Sequence, residues 1–157
     1  MDMKQYLLET FAFNDRANKQ VLAKLVTLPE KDECLRLFSH LVNSQDKWLA
    51  RITAYPHDPG LSWWEPVHAL EALEREWDRS LRAWQEFLGS KEEPALFAEV
   101  KWIGFDGAHW IAPLKDIALQ LNYHSIHHRA QMQAILRAQG QTPEFVDYIG
   151  TVYRRLG

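Results

Sequence analysis

The chain has 157 residues and a formal net charge of −3, from 18 lysines and arginines against 21 aspartates and glutamates. Its length predicts a single domain over residues 1–157, and its acidic balance, with no basic cluster among aromatic residues, excludes a nucleic-acid-binding surface. The single cysteine, Cys34, rules out an intramolecular disulfide, and without an apolar run of roughly 20 residues or a signal peptide we expect a cytoplasmic protein with no membrane span.

Three amphipathic helices are predicted before residue 90, at about residues 3–28, 32–54 and 67–88. In each of them, apolar residues recur at steps of three and four, which is the spacing of a helix with one buried face. Pro29 ends the first helix and Gly89 ends the third. The loop between the second and third helices contains Trp63 and Trp64, and these indoles are candidates to line the mouth of a pocket.

The apolar spacing shortens between residues 95 and 112, where Asp106 and Gly107 separate two short runs rich in large apolar residues. This pattern predicts a short, irregular hairpin with a tight Asp-Gly turn. Because a two-stranded ribbon is barely stable alone, we expect it to lie against the helices.

A fourth long helix is predicted from about Pro113 to Gly140, a stretch without internal proline or glycine. His124 and His128 are four residues apart on its apolar face, so they replace two successive core positions. An unpaired buried polar group costs roughly 1–3 kcal/mol, and a divalent metal would satisfy both imidazoles at once. The alternative is a pair of core histidines that are hydrogen-bonded to side chains or water.

Thr142 and Pro143 predict the cap and first position of a final short helix at residues 144–155. Four long helices, a ribbon in the crossover between the third and fourth, and a short terminal helix predict an all-α protein with a four-helix bundle.

A metal site also needs a third ligand, and His40 is the leading candidate because it lies midway along the second helix, near the apolar face. His57 and His109 lie in a loop or the ribbon, and His68 lies near a helix start, so each is more easily solvated. Taken alone, His40 is more typical of a core or surface histidine than of a metal ligand.

The histidine segments resemble motifs of the DinB/YfiT-like family. Residues 37–41, followed by Trp48 and Leu49, are similar to its first histidine motif, and residues 122–131 are similar to its second, H-x-x-x-H-R-x-Q. Its opening and closing segments resemble residues 13–18 and 140–149, so the similarity extends over essentially the whole chain. The sequence departs from the family pattern at Arg16, where tryptophan is common, and at Ala130, where glycine is common.

This resemblance implies an up-down-down-up four-helix bundle, a homodimer, and a divalent metal held by His40, His124 and His128. Zinc, nickel, manganese and iron all accept imidazole ligands. Three histidines leave an open coordination position, so the resemblance implies a metal-dependent enzyme, for example an S-transferase that acts on a small molecule with a low-molecular-weight thiol. The alternatives are a metal-dependent hydrolase, a non-catalytic metal-binding stress protein, and an interaction module with structural histidines.

No residue of the sequence stands out as a general base. Asp46, Glu33 and Asn18 could approach the site, although a solvated or capping position explains each of them better. Arg129 could orient an anionic ligand or form an ion pair with a neighbouring helix or subunit.

Some apolar residues lie outside a single buried stripe, such as Phe11 beside Phe13 in the first helix and Ile126 in the fourth. Because a bundle helix buries only one face in its own core, this excess predicts a second contact, between subunits.

Overall fold

The computed structural model describes residues 1–156, which form a mostly helical protein with five α-helices and a small two-stranded sheet. In chain order these elements are α1 (Met3–Leu25), α2 (Asp32–Ala54), α3 (Leu70–Gly89), α4 (Glu93–Phe97), β1 (Glu99–Ile103), β2 (His109–Pro113) and α5 (Leu114–Ala138). A single turn of 3-10 helix, Tyr148–Thr151, follows α5. None of the described helices combines the length and apolarity needed to cross a membrane.

The four long helices enclose one hydrophobic core. Helix α1 packs against α3 and α5, and α2 packs against the same two helices. The largest fully buried side chains in this core are Phe11, Phe38, Trp77 and Trp84. Full burial of a large apolar side chain stabilises a fold by about 1.5–3 kcal/mol, so these four rings form the main apolar anchor between the helices.

The ends of the helices follow local signals in the sequence. The Asp2 carboxylate caps α1 by accepting a hydrogen bond of 2.8 Å from the backbone N–H of Gln5. Helix α5 starts directly after Pro113, and the chain leaves it through Gly140, whose φ of 79° lies in the left-handed region that favours glycine. The fourth long helix is therefore confirmed, with bounds close to those predicted.

The predicted hairpin is also confirmed. Strands β1 and β2 pair antiparallel, from Glu99 opposite Pro113 to Ile103 opposite His109, and Gly107 in their turn has a φ of 76°. Helix α4, which was not predicted, precedes the hairpin and buries Leu96 in the core. Only five residues long, α4 is too short to show a helical period in the sequence.

The predicted helix over residues 144–155 is wrong, because the structure forms only the 3-10 turn Tyr148–Thr151 there. Contacts with α1 and α5 hold this segment instead. Tyr148 meets the ring of Phe13 edge-on at 5.2 Å, and the backbone carbonyl of Glu144 accepts a hydrogen bond from Gln133 at 2.9 Å. Tertiary contacts outweigh a short segment's weak helix propensity, which Gly150 lowers further.

Candidate metal centre

Helices α2 and α5 bring His40, His124 and His128 together. The Nε2 atoms of His40 and His128 each lie 3.0 Å from Nε2 of His124. The potential ligand atoms of the three residues all lie within 4.8 Å of one another, so the group could hold a metal ion. These are the three residues that the sequence selected, and their role as ligands stays a prediction.

The outer nitrogens of two of these imidazoles are already hydrogen-bonded. Nδ1 of His40 lies 2.7 Å from the backbone carbonyl oxygen of Trp63, and Nδ1 of His128 lies 2.6 Å from Oε1 of Gln131. Because a carbonyl oxygen only accepts, each Nδ1 must carry the hydrogen and donate it. In the neutral form of both rings, Nε2 therefore presents a lone pair to His124.

This arrangement leaves more lone pairs than hydrogens at the centre of the cluster. A neutral His124 with a hydrogen on Nε2 can donate it to Nε2 of His40 or to Nε2 of His128. In the other of these two contacts, the two nitrogens face each other with no hydrogen between them. A cation would accept all three lone pairs. Nitrogen ligands lie about 2.0–2.1 Å from zinc, so two of them can be up to about 4 Å apart, and the 3.0 Å separations fit this limit.

Burial keeps the three imidazoles in the neutral form that a metal requires. Desolvation is the main cause that lowers the pKa of His40, His124 and His128 below the usual histidine range. For His124 the neighbouring His128 and His40 lower it further, to about 4. At neutral pH all three rings are therefore uncharged.

A loop of residues 61–68, here called the tryptophan loop, lies over His40 and is fastened to α2. Four hydrogen bonds join it to side chains that extend over about two turns of that helix. They are those of Ser39 with the N–H of His68, His40 with the carbonyl of Trp63, Asn43 with that of Pro66, and Lys47 with that of Leu61. The Trp64 ring stacks on His40 with centroids 3.8 Å apart, and the Arg36 guanidinium lies over Trp64 at 4.3 Å. The loop therefore fixes the orientation of the His40 ring.

A cavity of about 250 Å³ lies beside the histidine cluster. Its lining consists of His40, Ser44 and Trp48 from α2, Trp63 from the tryptophan loop, and Gln120, Leu121 and His124 from α5. Of the two indoles expected at a pocket mouth, Trp63 lines the cavity whereas Trp64 covers His40 instead. The cavity is thus bounded partly by apolar side chains and partly by the imidazoles of His40 and His124.

The carboxylates considered as general bases are engaged elsewhere. Asp46 forms a salt bridge of 2.5 Å with Arg79, and Glu33 forms one of 2.6 Å with Arg36, which holds the Glu33 pKa below its usual value. Within the described residues neither carboxylate is hydrogen-bonded to a histidine of the cluster. Asn18 lies between α1 and α5, where its amide donates to Ser125 at 2.7 Å.

Arg129 is a structural residue of the α1–α5 contact. It is 3% exposed, and its Nη1 donates to Oδ1 of Asn14 at 2.9 Å and of Asn18 at 2.8 Å. Burial lowers the pKa of Arg129 to about 10, so the guanidinium stays charged at neutral pH. Its hydrogen bonds go to neutral amides within the chain, so the expected ion pair with a neighbouring helix is not formed.

The remaining histidines lie outside the cluster. His127 is exposed, with its ring 4.9 Å from that of His128, and His109 shares a hydrogen bond of 2.9 Å with the Tyr55 hydroxyl. The weaker candidates His57 and His68 do not join the three-histidine group.

Three groups at the site were not identified from the sequence: the Gln131 amide, the Trp63 carbonyl and the Ser44 hydroxyl. Gln131 follows His128 by three residues and Ser44 follows His40 by four, so helical spacing places both on ligand faces. The Trp63 carbonyl has no such signal, because every residue has one.

A comparison with protein-family models matches the DinB family over residues 3–155, which is nearly the whole chain. Comparisons with curated proteins and with solved structures gave no match. The family match confirms the resemblance found in the histidine motifs, and it covers both α2 and α5, which carry the three-histidine group. The chain belongs to the DinB family.

Proposed function

We propose that this protein binds a divalent metal ion through His40, His124 and His128 and is a metal-dependent enzyme for a small molecule. The observation that carries the proposal is the direction of the lone pairs. Trp63 and Gln131 accept the Nδ1 hydrogens of two rings, so Nε2 of each ring is directed at His124. Outer hydrogen bonds of this kind orient histidine ligands in metal sites.

The residues around the histidines would determine the environment of a bound ion. When bound, a divalent ion would act as an electrophile, able to polarise a carbonyl group or to favour the anion of a thiol. Trp48, Trp63 and Leu121 surround the adjacent cavity with apolar surface, which limits water beside the histidines. Imidazole ligands do not select between zinc, nickel, manganese and iron.

Among the enzyme classes, we favour a thiol-dependent S-transferase. Family resemblance supports this choice, and the cavity supports it independently, since its described lining contains imidazole, hydroxyl, amide and apolar groups but no carboxylate. A thiol has a pKa of about 8.5, against about 15.7 for bulk water, so it releases its proton to solvent more easily and depends less on a carboxylate base than a water nucleophile does. A metal-dependent hydrolase is the second candidate, and a non-catalytic stress protein is the third.

We also infer an up-down-down-up order for the four long helices. The support is family membership together with the packing of both α1 and α2 against α3 and α5.

Metal analysis tests the binding site directly. Protein purified without a metal-affinity tag should carry close to one divalent ion per chain, and His128→Ala should lose most of it. His127→Ala is the matched control, because His127 is the next residue on α5 but lies outside the cluster, and it should retain the metal. If a triple alanine variant of the three histidines binds the ion as tightly as the wild type, these ligands are wrong.

Cobalt substitution tests the thiol step. A low-molecular-weight thiol should change the d–d spectrum of the cobalt protein, with a pH midpoint below the roughly 8.5 of a free cysteine thiol. His40→Ala should abolish this change, and His127→Ala should leave it. Absence of any response to thiols would favour the hydrolase or the non-catalytic protein.

A further inference from the structure

Ser44 is a buried polar residue whose side chain is not satisfied by the protein. It is 2% exposed, and its hydroxyl has no hydrogen-bond partner within residues 1–156. The other buried serines all have partners: Ser39 accepts from the N–H of His68, Ser80 donates to Asp46, and Ser125 accepts from Asn18. Since buried hydroxyls are normally hydrogen-bonded, the exception at Ser44 requires an explanation.

The explanation lies in the direction of the side chain. Ser44 follows His40 by four residues, so both project from one face of α2, about 6 Å apart along the helix axis. Both line the cavity of about 250 Å³, which His124 also reaches from α5. The Ser44 residue, with its unpartnered hydroxyl, and the imidazoles of His40 and His124 therefore line the same space.

The rest of the lining defines what this space can hold. Trp48, Trp63 and Leu121 supply apolar walls, and the exposed Gln120 lies on the α5 side. At about 250 Å³, the cavity is smaller than a typical pocket for a drug-sized ligand, which has about 300–1,000 Å³. Only a short molecule, or the end of a longer one, fits beside the histidines.

We propose that Ser44 is a substrate-positioning residue that binds the polar group of a short bifunctional molecule. One end of this molecule, a thiol, faces His40 and His124, the two histidines of the cluster that line the cavity. The other end carries a hydroxyl, amine or carbonyl group within a few bonds, and it forms a hydrogen bond with the Ser44 hydroxyl, which can donate or accept. This inference rests on the proposed function and specifies its substrate class.

Two thiols of equal length test the role of Ser44. In 2-mercaptoethanol the chain ends in a hydroxyl, whereas in 1-propanethiol it ends in a methyl group. Their affinities are measured by titrating the cobalt-substituted protein and following its d–d spectrum. Because the two thiols also differ in acidity, the decisive quantity is the ratio of their affinities, compared between wild type and variants.

We expect Ser44→Ala to reduce the preference for 2-mercaptoethanol by about threefold to tenfold, which corresponds to one hydrogen bond. Ser80→Ala, the same change at a buried serine that does not line the cavity, should leave the ratio at its wild-type value. An unchanged ratio in Ser44→Ala would overturn the role of Ser44 and leave the thiol function standing.

A second readout separates this inference from the proposed function. If neither thiol changes the cobalt spectrum, the thiol function fails, and NMR of the metal-free protein then decides the role of Ser44. Shifts of the Trp48 and Trp63 indole N–H signals by 2-mercaptoethanol in the wild type, absent in Ser44→Ala, would support the subsite. No shift in the wild type would overturn it.

Discussion

At the residue scale, two hydrogen bonds determine how the histidine cluster presents its nitrogens. The Trp63 carbonyl and the Gln131 amide oxygen each accept from an Nδ1 atom, of His40 and His128 respectively. Both acceptors are uncharged carbonyl oxygens, so they orient the two rings without the negative charge that would favour protonated imidazole. The pKa of all three histidines is lowered chiefly by burial, which has the same consequence.

Stability of the metal-free protein should therefore depend on pH between about 6.5 and 4. The pKa of His124 is lowered to about 4, so in this window the unfolded chain binds a proton at His124 that the folded chain does not. The free energy of unfolding therefore has its full value above pH 6.5 and decreases as the pH falls toward 4. Urea denaturation with a chelator present, at pH 7.5, 5.5 and 4.5, measures this loss.

The His124→Leu variant should lose less stability over the same pH range, whereas the exposed-site control His127→Leu should behave like the wild type. Equal pH dependence in His124→Leu and wild type would contradict the assignment to His124.

Ser44 and Ser80 should respond to the same substitution in opposite ways. Ser44 has no partner in the described chain, so Ser44→Ala should leave the free energy of unfolding unchanged or raise it by up to about 1 kcal/mol. The Ser80 hydroxyl donates to Asp46 at 2.7 Å, so Ser80→Ala should lower the free energy of unfolding by about 1 kcal/mol. Urea denaturation of the two variants at pH 7.5 measures both effects, and a clear loss of stability in Ser44→Ala would show that its hydroxyl is bonded within the protein.

Residue identities at the site could be predicted in part. His124 and His128 are apparent from their helical spacing. His40 was the leading third candidate from its position midway along the second helix, and the family resemblance supports the same choice. The acceptor for His40 could not be predicted, since it is a backbone carbonyl whose position depends on the path of the tryptophan loop. Ser44 was not identified as a site residue, because its spacing of four residues from His40 places it on the same helix face but does not show that its hydroxyl lacks a partner.

At the scale of the elements, α1 and α5 are joined by a buried polar network around Arg129. The guanidinium donates to Asn14 and Asn18, and it lies over the ring of Phe13, with Cζ 5.5 Å from the ring centroid. Arg129 follows His128 directly, so this network also fixes the position of α5, the helix of His124 and His128, against α1.

Replacing Arg129 by methionine should test that contact. The variant keeps an unbranched side chain but loses two charge-assisted hydrogen bonds and leaves the two asparagine oxygens short of a donor. We expect the free energy of unfolding to fall by about 2–4 kcal/mol, as measured by urea denaturation. Arg137→Met, an exposed arginine on the same helix, should change it by less than about 0.5 kcal/mol. Equal effects of the two variants would refute the structural role of Arg129.

The long helices were predictable because their apolar periods extend over several turns. Helix α2 has the predicted bounds of residues 32–54. The third helix was placed three residues early, since Pro66 and His68 belong to the tryptophan loop and bond to α2. The terminal helix was wrong because contacts with α1 and α5, invisible in local sequence, hold that segment.

At the scale of the whole molecule, the burial or exposure of apolar residues decides where a second subunit could bind. Phe11 and Phe13 are both buried within the chain, so this part of the argument for a subunit contact is removed. On α5, however, Tyr123 and Ile126 are 60% and 46% exposed. They lie three residues apart, on one side of the helix.

We predict a two-fold dimer that uses this side of α5 and buries well over about 1,000 Å². Ile126→Lys should dissociate it, because a charge at the centre of an apolar contact is costly to desolvate. Light scattering at micromolar concentration measures the mass, and Val26→Lys, at an exposed valine just after α1, is the control that should leave the dimer intact. A monomeric wild type would defeat the prediction.

The stacking of Trp64 on His40 gives the protein an internal optical probe. The two ring centroids are 3.8 Å apart and the planes differ by 10°. An indole this close to a ligand ring would lose its excited state rapidly when a paramagnetic ion such as copper(II) reached the imidazole. The partial loss of emission from the seven tryptophans of the chain would then report occupancy of the histidines in real time, and the speed of quenching after mixing would give the rate of ion entry without any added dye.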